Sequence, residues 1–265
     1  MLLVSGPRAK GAIPKGGRSA AYFAFGVEAS GYGSGLDPPC VFGMKQTPAH
    51  DNVNLDLMAQ IPPGTRRIVE VGCANGAMAR AWRAEHPACE YVGIDIDPDY
   101  AARAAAHCTR AFAADVEQLD DAALAGLFPS DCWIFGDCLE HLRDPWRMLS
   151  RIRERIDADG SLVTCIPNAQ HWSVQWRLLS GQFRYEDQGL MDRTHIRWFT
   201  RQTMLEMFAS TGWRVETGVS RQVQAPQQAQ ALAAVGAFAQ AFGLDAAQAQ
   251  QDATPIQYVF RLRPA

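Results

Sequence analysis

A chain of 265 residues, 48% hydrophobic and 20% charged, is long enough for one large globular domain and has none of the bias of a disordered protein. Its formal net charge of -3 excludes a general electrostatic pull toward nucleic acid or acidic membranes, and no apolar run approaches the roughly 20 residues of a membrane helix. The seven cysteines are scattered with no CxxC pair, which reads as reduced, buried thiols of a cytoplasmic protein, not a disulfide framework or a zinc site.

In chain order, residues 1–45 are rich in Gly, Ser and Ala and carry few periodic apolar positions. A flexible or lid-like arm is expected there, ahead of a domain over 46–265. Its opening MLLVSGPRAKG is too short in apolar length for a signal-peptide core. TPAHDNVNLDLMAQI, 47–61, reads as a capped helix leading into the core. Seven short β-branched or aromatic runs follow: RRIVEVG, EYVGIDI, RAFAAD, CWIFGD, GSLVTCIPN, WRVETGV and IQYVFRLR. Helical patterns such as DYAARAAAHC and DPWRMLSRIRERI fill most gaps between them. That alternation predicts an α/β fold, a Rossmann-like, mostly parallel sheet with helices on both faces. Between the last two runs, Ala225 to Ala253 is Ala/Gln-rich, and Leu232, Val235, Phe238 and Phe242 fall at helical spacing. One amphipathic helix, packing through that stripe, is the expectation.

VEVGCANG, Val69 to Gly76, sets a glycine turn between a strand and the helical AMARAWRAEHP. Such a turn presents backbone N–H groups to an anionic or nucleotide-like ligand. A dinucleotide fingerprint would need a middle glycine, which is absent, so close approach to a pyrophosphate is not provided for. Glu70, just ahead of the first glycine, repels a diphosphate and suits a cationic ligand. NAD is therefore disfavoured. Asp95 ends the next strand in GIDIDP, where a carboxylate accepts hydrogen bonds from both hydroxyls of a ribose. Asp115 in AADVE follows a third strand, within reach of an adenine amine. A ligand with an amino-acid end, a ribose and an adenine, and no phosphate, satisfies all three.

VEVGCANG, GIDIDP, AADVE and FGDCLEHLRDPW resemble the successive signatures of class I S-adenosylmethionine-dependent methyltransferases. IPNAQHWSV and GLMDRTHIRWFT are similar to a bacterial subgroup whose relatives accompany glycosyltransferases and secondary metabolism. The likeness runs from about His50 to Arg263. It implies seven strands, a helical cap inserted at about 170–200, and S-adenosylmethionine as cofactor. It also implies cofactor contacts from Glu70, Gly72, Cys73, Ala74, Asn75, Gly76, Asp95, Ile96, Asp115, Val116, Gly136 and Asp137. The chain departs from the pattern at Cys73-Ala74, where many relatives carry Cys-Gly, and the extra methyl restricts the turn. Cys73 and Cys138 read as small packing residues.

Methyl transfer to a hydroxyl or ammonium needs an aligned acceptor and a group to take its proton. His141, His195 and His171 are the candidate bases, since a neutral imidazole suits that work. If a helix starts near Asp137, then Asp137, Glu140 and His141 share one of its faces. The segment after the fifth strand mixes Phe183, Tyr185 and Trp198 with Arg177, Arg184, Arg193 and Arg197. It reads either as a lid that excludes water and holds an anion, or as a surface helix pair bridged to Glu186, Asp187 and Asp192. The expected activity is O-methylation of a small-molecule acceptor, a sugar or natural product, without a metal. Rivals are a metal-assisted enzyme, an N- or C-methyltransferase, and a catalytically silent binding protein. A homodimer is compatible with all of these, and no nucleic acid or membrane partner is expected.

Overall fold

The computed structural model describes Thr47, Pro48 and residues 51–265, so the expected arm at 1–45 lies outside the described residues. Leu55–Met58 forms a short helix α1, capped by the Asn54 side chain, which accepts from the Leu57 N–H at 3.1 Å. It is far shorter than the 47–61 expectation. Only one turn finds an apolar surface to pack on, and Leu57 is its one buried residue.

Every expected strand is present: β1 (Arg67–Val71), β2 (Glu90–Asp95), β3 (Arg110–Ala113), β4 (Cys132–Gly136), β5 (Ser161–Pro167), β6 (Trp213–Arg221) and β7 (Gln257–Pro264). They form one sheet in the order β3-β2-β1-β4-β5-β7-β6. β1 pairs in parallel with both β2 and β4, β2 with β3, and β4 with β5, whereas β7 runs antiparallel between β5 and β6. The chain order reverses between β1 and β4. There the strand ends open a crevice, the usual ligand position in an open α/β sheet.

Strand alternation supplies both faces of the sheet. Val69, Val71, Trp133, Phe135, Leu162 and Phe260 point to one side, and Ile68, Tyr91, Ile134, Val163 and Val259 to the other. On the first side lie α4 (Asp121–Ala125), α5 (Pro145–Arg153) and α7 (Arg201–Ser210), contributing Leu124, Leu149, Ile152, Met207 and Phe208. α2 (Ala77–Glu85) and α3 (Pro98–Ala104) cover the second with Met78, Trp82 and Ala104. The six cysteines among the described residues are free and buried, as expected.

α6 (Trp172–Leu179) begins the cap, and residues from Gly181 to Phe199 run as turns and single bridges, not as a helix pair. The Ala/Gln-rich stretch is two helices, α8 (Gln228–Ala241) and α9 (Ala246–Ala253), where one was expected. Gly243 at φ 71° and the Asp245 cap, which accepts from the Ala247 and Gln248 N–H groups, break it. The two helices then fold back on each other, and Gln250 donates to the Leu232 carbonyl at 3.0 Å. Phe238 and Phe242 are 57% and 70% exposed, so half of the expected packing stripe faces outward.

Candidate active site

Past β1 the chain turns through Gly72, Ala74 and Gly76 at φ 77°, 45° and 79° before α2 starts. A Cβ on Gly72 would stand 3.3 Å from the Cys138 side chain, and one on Gly76 would stand 3.0 Å from the Ala104 backbone. Left-handed backbone and close approach both require glycine there. Ala74 adopts the same region with a side chain, a strained state for an L residue. It is held by Asp95, which ends β2. The Asp95 carboxylate accepts from the Ala74 N–H at 2.8 Å and from the Asp97 N–H at 2.9 Å. It therefore braces the glycine turn and retains lone pairs for a further donor.

Glu70 lies beneath this turn, 6% exposed, and accepts from the Tyr91 hydroxyl at 2.9 Å. Burial raises its carboxyl to about 7, the Asp95 charge adds to the rise, and the Tyr91 hydrogen bond opposes it. Register explains the pairing: Glu70 faces Gly93 on β2, which has no side chain, so Tyr91 reaches across. Asp115 caps the 3-10 turn Val116–Gln118, accepting from the Glu117 N–H at 3.0 Å, so the ordinary turn role is present. Asn75 donates to Asp51 at 2.7 Å. At the end of β4, Asp137 has φ 52° and takes a short hydrogen bond from Gln257.

No α-helix starts at Asp137, contrary to expectation. Its left-handed backbone directs the chain into a 3-10 turn, Leu139–His141, too tight for a shared helical face. Glu140 and His141 instead meet His195 from the cap. Ile196 and Arg197 donate their N–H groups to the Glu140 carbonyl at 3.0 Å each, which docks the cap on the turn. The His141 and His195 rings then stand 4.8 Å apart, edge to face. His141 Nδ1 donates to the Thr194 carbonyl at 3.1 Å, and His195 Nδ1 to the Leu190 carbonyl at 3.3 Å. His195 Nε2 lies 3.8 Å from Glu140 Oε1, beyond hydrogen-bond range. Burial, with Asp137 nearby, pushes the Glu140 carboxyl well up, while burial lowers His141. Burial and then the His141 charge lower His195 to about 4. Both imidazoles are neutral at pH 7 and able to accept a proton or ligate.

A cavity of about 670 Å³ joins the two ends. Gly72, Cys73, Ala74, Asn75, Asp95, Ile96, Asp115, Val116, Gly136 and Asp137 line it together with Glu70, Glu140, His141 and His195. Its volume is that of a pocket for small organic ligands. Gly76 is not in the lining but caps α2. His171 is not in the lining either. It is buried at the start of α6, with Nδ1 on Ser173, which is a helix-cap role.

The cap arginines pair locally: Arg177 with Glu186 at 2.6 Å and Arg193 with Asp187 at 2.5 Å, while Arg197 donates to the Arg143 carbonyl at 2.9 Å. None of these three, nor Arg184, lines the cavity. Asp192 pairs instead with hydroxyls, accepting from Thr47 at 2.6 Å and from Thr194 at 2.6 Å. Phe183 and Trp198 pack together, with Trp198 edge-on to His195. The sequence reading missed Tyr91, Asp192 and Thr194 as supports of the site. Asp-x-Thr in DRTH is an Asx-turn signal that marks the last two, since the Thr194 N–H donates to Asp192 at 2.8 Å.

The family model described as "Methyltransferase domain" matches residues 48–217, more than half of the chain. No curated protein matches it. Among solved structures, the chain is similar to a mitomycin 7-O-methyltransferase, with TM-score 0.50 and 14% identity over 79% of this chain and 53% of that one. It thus spans about half the length of that protein. An O-methyltransferase from a trans-AT polyketide synthase of Brevibacillus brevis, in complex with S-adenosyl-L-homocysteine, gives TM-score 0.51 and 14% identity over 80% and 71%. A possible histamine N-methyltransferase of Thermotoga maritima gives TM-score 0.51 and 13% identity over 79% and 87%. At such identities these structures speak for the fold. With the family match and the strand order β3-β2-β1-β4-β5-β7-β6, the chain belongs to the methyltransferase-domain family and carries the Rossmann-like fold of S-adenosylmethionine-dependent methyltransferases.

Proposed function

We propose that the chain transfers a methyl group from S-adenosylmethionine to an oxygen of a small-molecule acceptor, a sugar or natural product. The cofactor's amino-acid end lies on the Gly72–Asn75 turn with its ammonium toward Glu70. The ribose hydroxyls donate to Asp95, and the adenine sits at Asp115 and Val116. Gly136 and Asp137 close the methionine side. The observation that carries this reading is one cavity holding both the braced turn and, at its other end, Glu140, His141 and His195.

At the acceptor end the two neutral imidazoles are the groups that manage the acceptor's proton, directly or through a ligand they hold. The docked cap buries His195 and half-buries His141, which keeps water from competing for the methyl group. The O-methyltransferases among the similar structures favour an oxygen acceptor, and the cavity volume favours a small one. Incubation with methyl-labelled S-adenosylmethionine and a panel of hydroxylated metabolites tests this. Label must appear in a hydroxyl-bearing acceptor, and calorimetry must show S-adenosylhomocysteine but not NAD binding. Label found only on amines or carbon, or none despite cofactor binding, overturns the O-methyl assignment.

A further inference from the structure

Glu140 is 1% exposed, and neither oxygen of its carboxyl has a hydrogen-bond partner. A buried carboxyl left so costs free energy unless something in the cavity answers it. The groups it faces are the two imidazoles. One ligand atom from each of Glu140, His141 and His195 lies within 4.8 Å of the others. Each imidazole spends its Nδ1 on a backbone carbonyl, which leaves the Nε2 lone pair as the available donor. That is the outer-shell arrangement by which proteins orient metal-binding histidines.

We infer that Glu140, His141 and His195 form a binding site for one divalent transition-metal ion at the acceptor end of the cavity. This rests on the methyl-transfer reading and gives its acceptor end a ligand. Two atoms bound at about 2.1 Å around a shared ion in tetrahedral geometry stand roughly 3.4 Å apart. The gap of 3.8 Å between His195 Nε2 and Glu140 Oε1 is too long for a hydrogen bond and about 0.4 Å wider than that separation. The widest pair lies within 4.8 Å and must close by up to roughly 1.4 Å. A small shift of the cap loop carrying His195 against the Leu139–His141 turn supplies it.

Two imidazoles and one carboxylate select a borderline ion such as Zn²⁺, Co²⁺, Mn²⁺ or Fe²⁺ over Mg²⁺ or Ca²⁺, which prefer oxygen sets. Three protein ligands leave at least one position open, and all three residues line the cavity. An oxygen of the acceptor fits there, and a bound cation acidifies such an oxygen at neutral pH. The substrate class is thereby narrowed to acceptors offering a hydroxyl. With an ion held there, the acceptor hydroxyl would lose its proton to bulk water, its oxygen would bond to the methyl carbon and the carbon–sulfur pair would return to sulfur, so His141 acts by holding the ion and does not itself take the proton. Glu140 gives up its proton on binding the cation.

The test uses the full chain, stripped with EDTA and titrated with Co²⁺. The visible absorption of the ion, calorimetry and the melting temperature are followed. One equivalent should bind with a tetrahedral or five-coordinate spectrum and raise the melting temperature. Glu140→Gln and His195→Ala should each weaken Co²⁺ binding by more than about 10-fold while keeping S-adenosylhomocysteine affinity, which certifies the fold. His107→Ala, remote from the cavity lining, should bind as the parent does. Absence of one-to-one Co²⁺ binding overturns the inference, as does equal binding by the parent and both site variants. If metal-free protein binds S-adenosylhomocysteine and no Co²⁺, the metal site alone is refuted. Failure to bind S-adenosylhomocysteine refutes the methyl-transfer reading beneath it.

Discussion

Replacing Glu70 by Gln should make the ligand-free protein more stable and the cofactor weaker. Glu70 is 6% exposed, and burial raises its carboxyl from the ordinary 4.5 to about 7. Once both folded and unfolded states are ionised, that elevation costs the folded state about 3 kcal/mol. The sign follows from proton binding. Between 4.5 and about 7 the folded chain keeps a proton that the unfolded chain has lost, so the stability from this group is complete below 4.5. It is lost as pH rises through 7. Gln cannot ionise, yet its carbonyl still accepts from the Tyr91 hydroxyl, now 2.9 Å from Glu70. Thermal melts without ligand should therefore coincide at about pH 4 and diverge by about 6–12 °C at about pH 8, with the variant higher. In the proposed cofactor pose the ammonium loses a charged partner worth about 1.5–3 kcal/mol, so S-adenosylhomocysteine should bind about 10- to 150-fold more weakly in calorimetry. A variant that melts below the parent at about pH 8, or that binds S-adenosylhomocysteine equally well, would refute the reasoning. Such a trade of stability for function is common at binding sites.

Ala74→Gly relieves the left-handed strain of about 1–2 kcal/mol and gives part back as unfolded-state entropy, so a denaturant midpoint should report a net gain of about 0.5–1 kcal/mol. Asp95→Ala removes both the proposed ribose acceptor and the brace on the Ala74 and Asp97 N–H groups, which are 2.8 and 2.9 Å away. It should weaken S-adenosylhomocysteine binding by about 1.5–3 kcal/mol and lower stability by about 2 kcal/mol, read by calorimetry and urea unfolding; an unchanged affinity would displace the ribose contact. His141→Ala should lower turnover about 10²–10⁴-fold while cofactor affinity persists, and single-turnover kinetics with labelled cofactor would expose any smaller effect.

Local pattern carried the seven strands: β1, β2, β4 and β5 are buried on both faces and write continuous apolar runs, while β-branched and aromatic residues between turns mark the more exposed β3 and β6. The glycine turn was legible for a related reason: Gly72 and Gly76 occupy backbone that other residues enter only under strain. Asp95 was placed in the cavity by its position at a strand end alone, although its brace on Ala74 was not visible. Other features depend on contacts distant in sequence. The single helix expected over 225–253 became two because Gly243 and Asp245 allow a reversal, and the return packing that rewards it is tertiary. His171 and His141 look alike in sequence, each a polar residue near a turn, yet one caps a helix and the other lines the cavity.

The meeting of His141 with His195 was least legible. Thr194, 53 residues beyond His141, reaches it because the cap docks on the Glu140 carbonyl through the Ile196 and Arg197 N–H groups. By itself, then, the amino-acid sequence determined the strands, the glycine turn and the carboxylates at the strand ends, since each is imposed by local backbone conformation and side-chain burial. Only the tertiary structure decided that a lone buried carboxyl would face two oriented imidazoles, because that contact is made by docking a long insertion whose backbone donors, not its side-chain pattern, set the register.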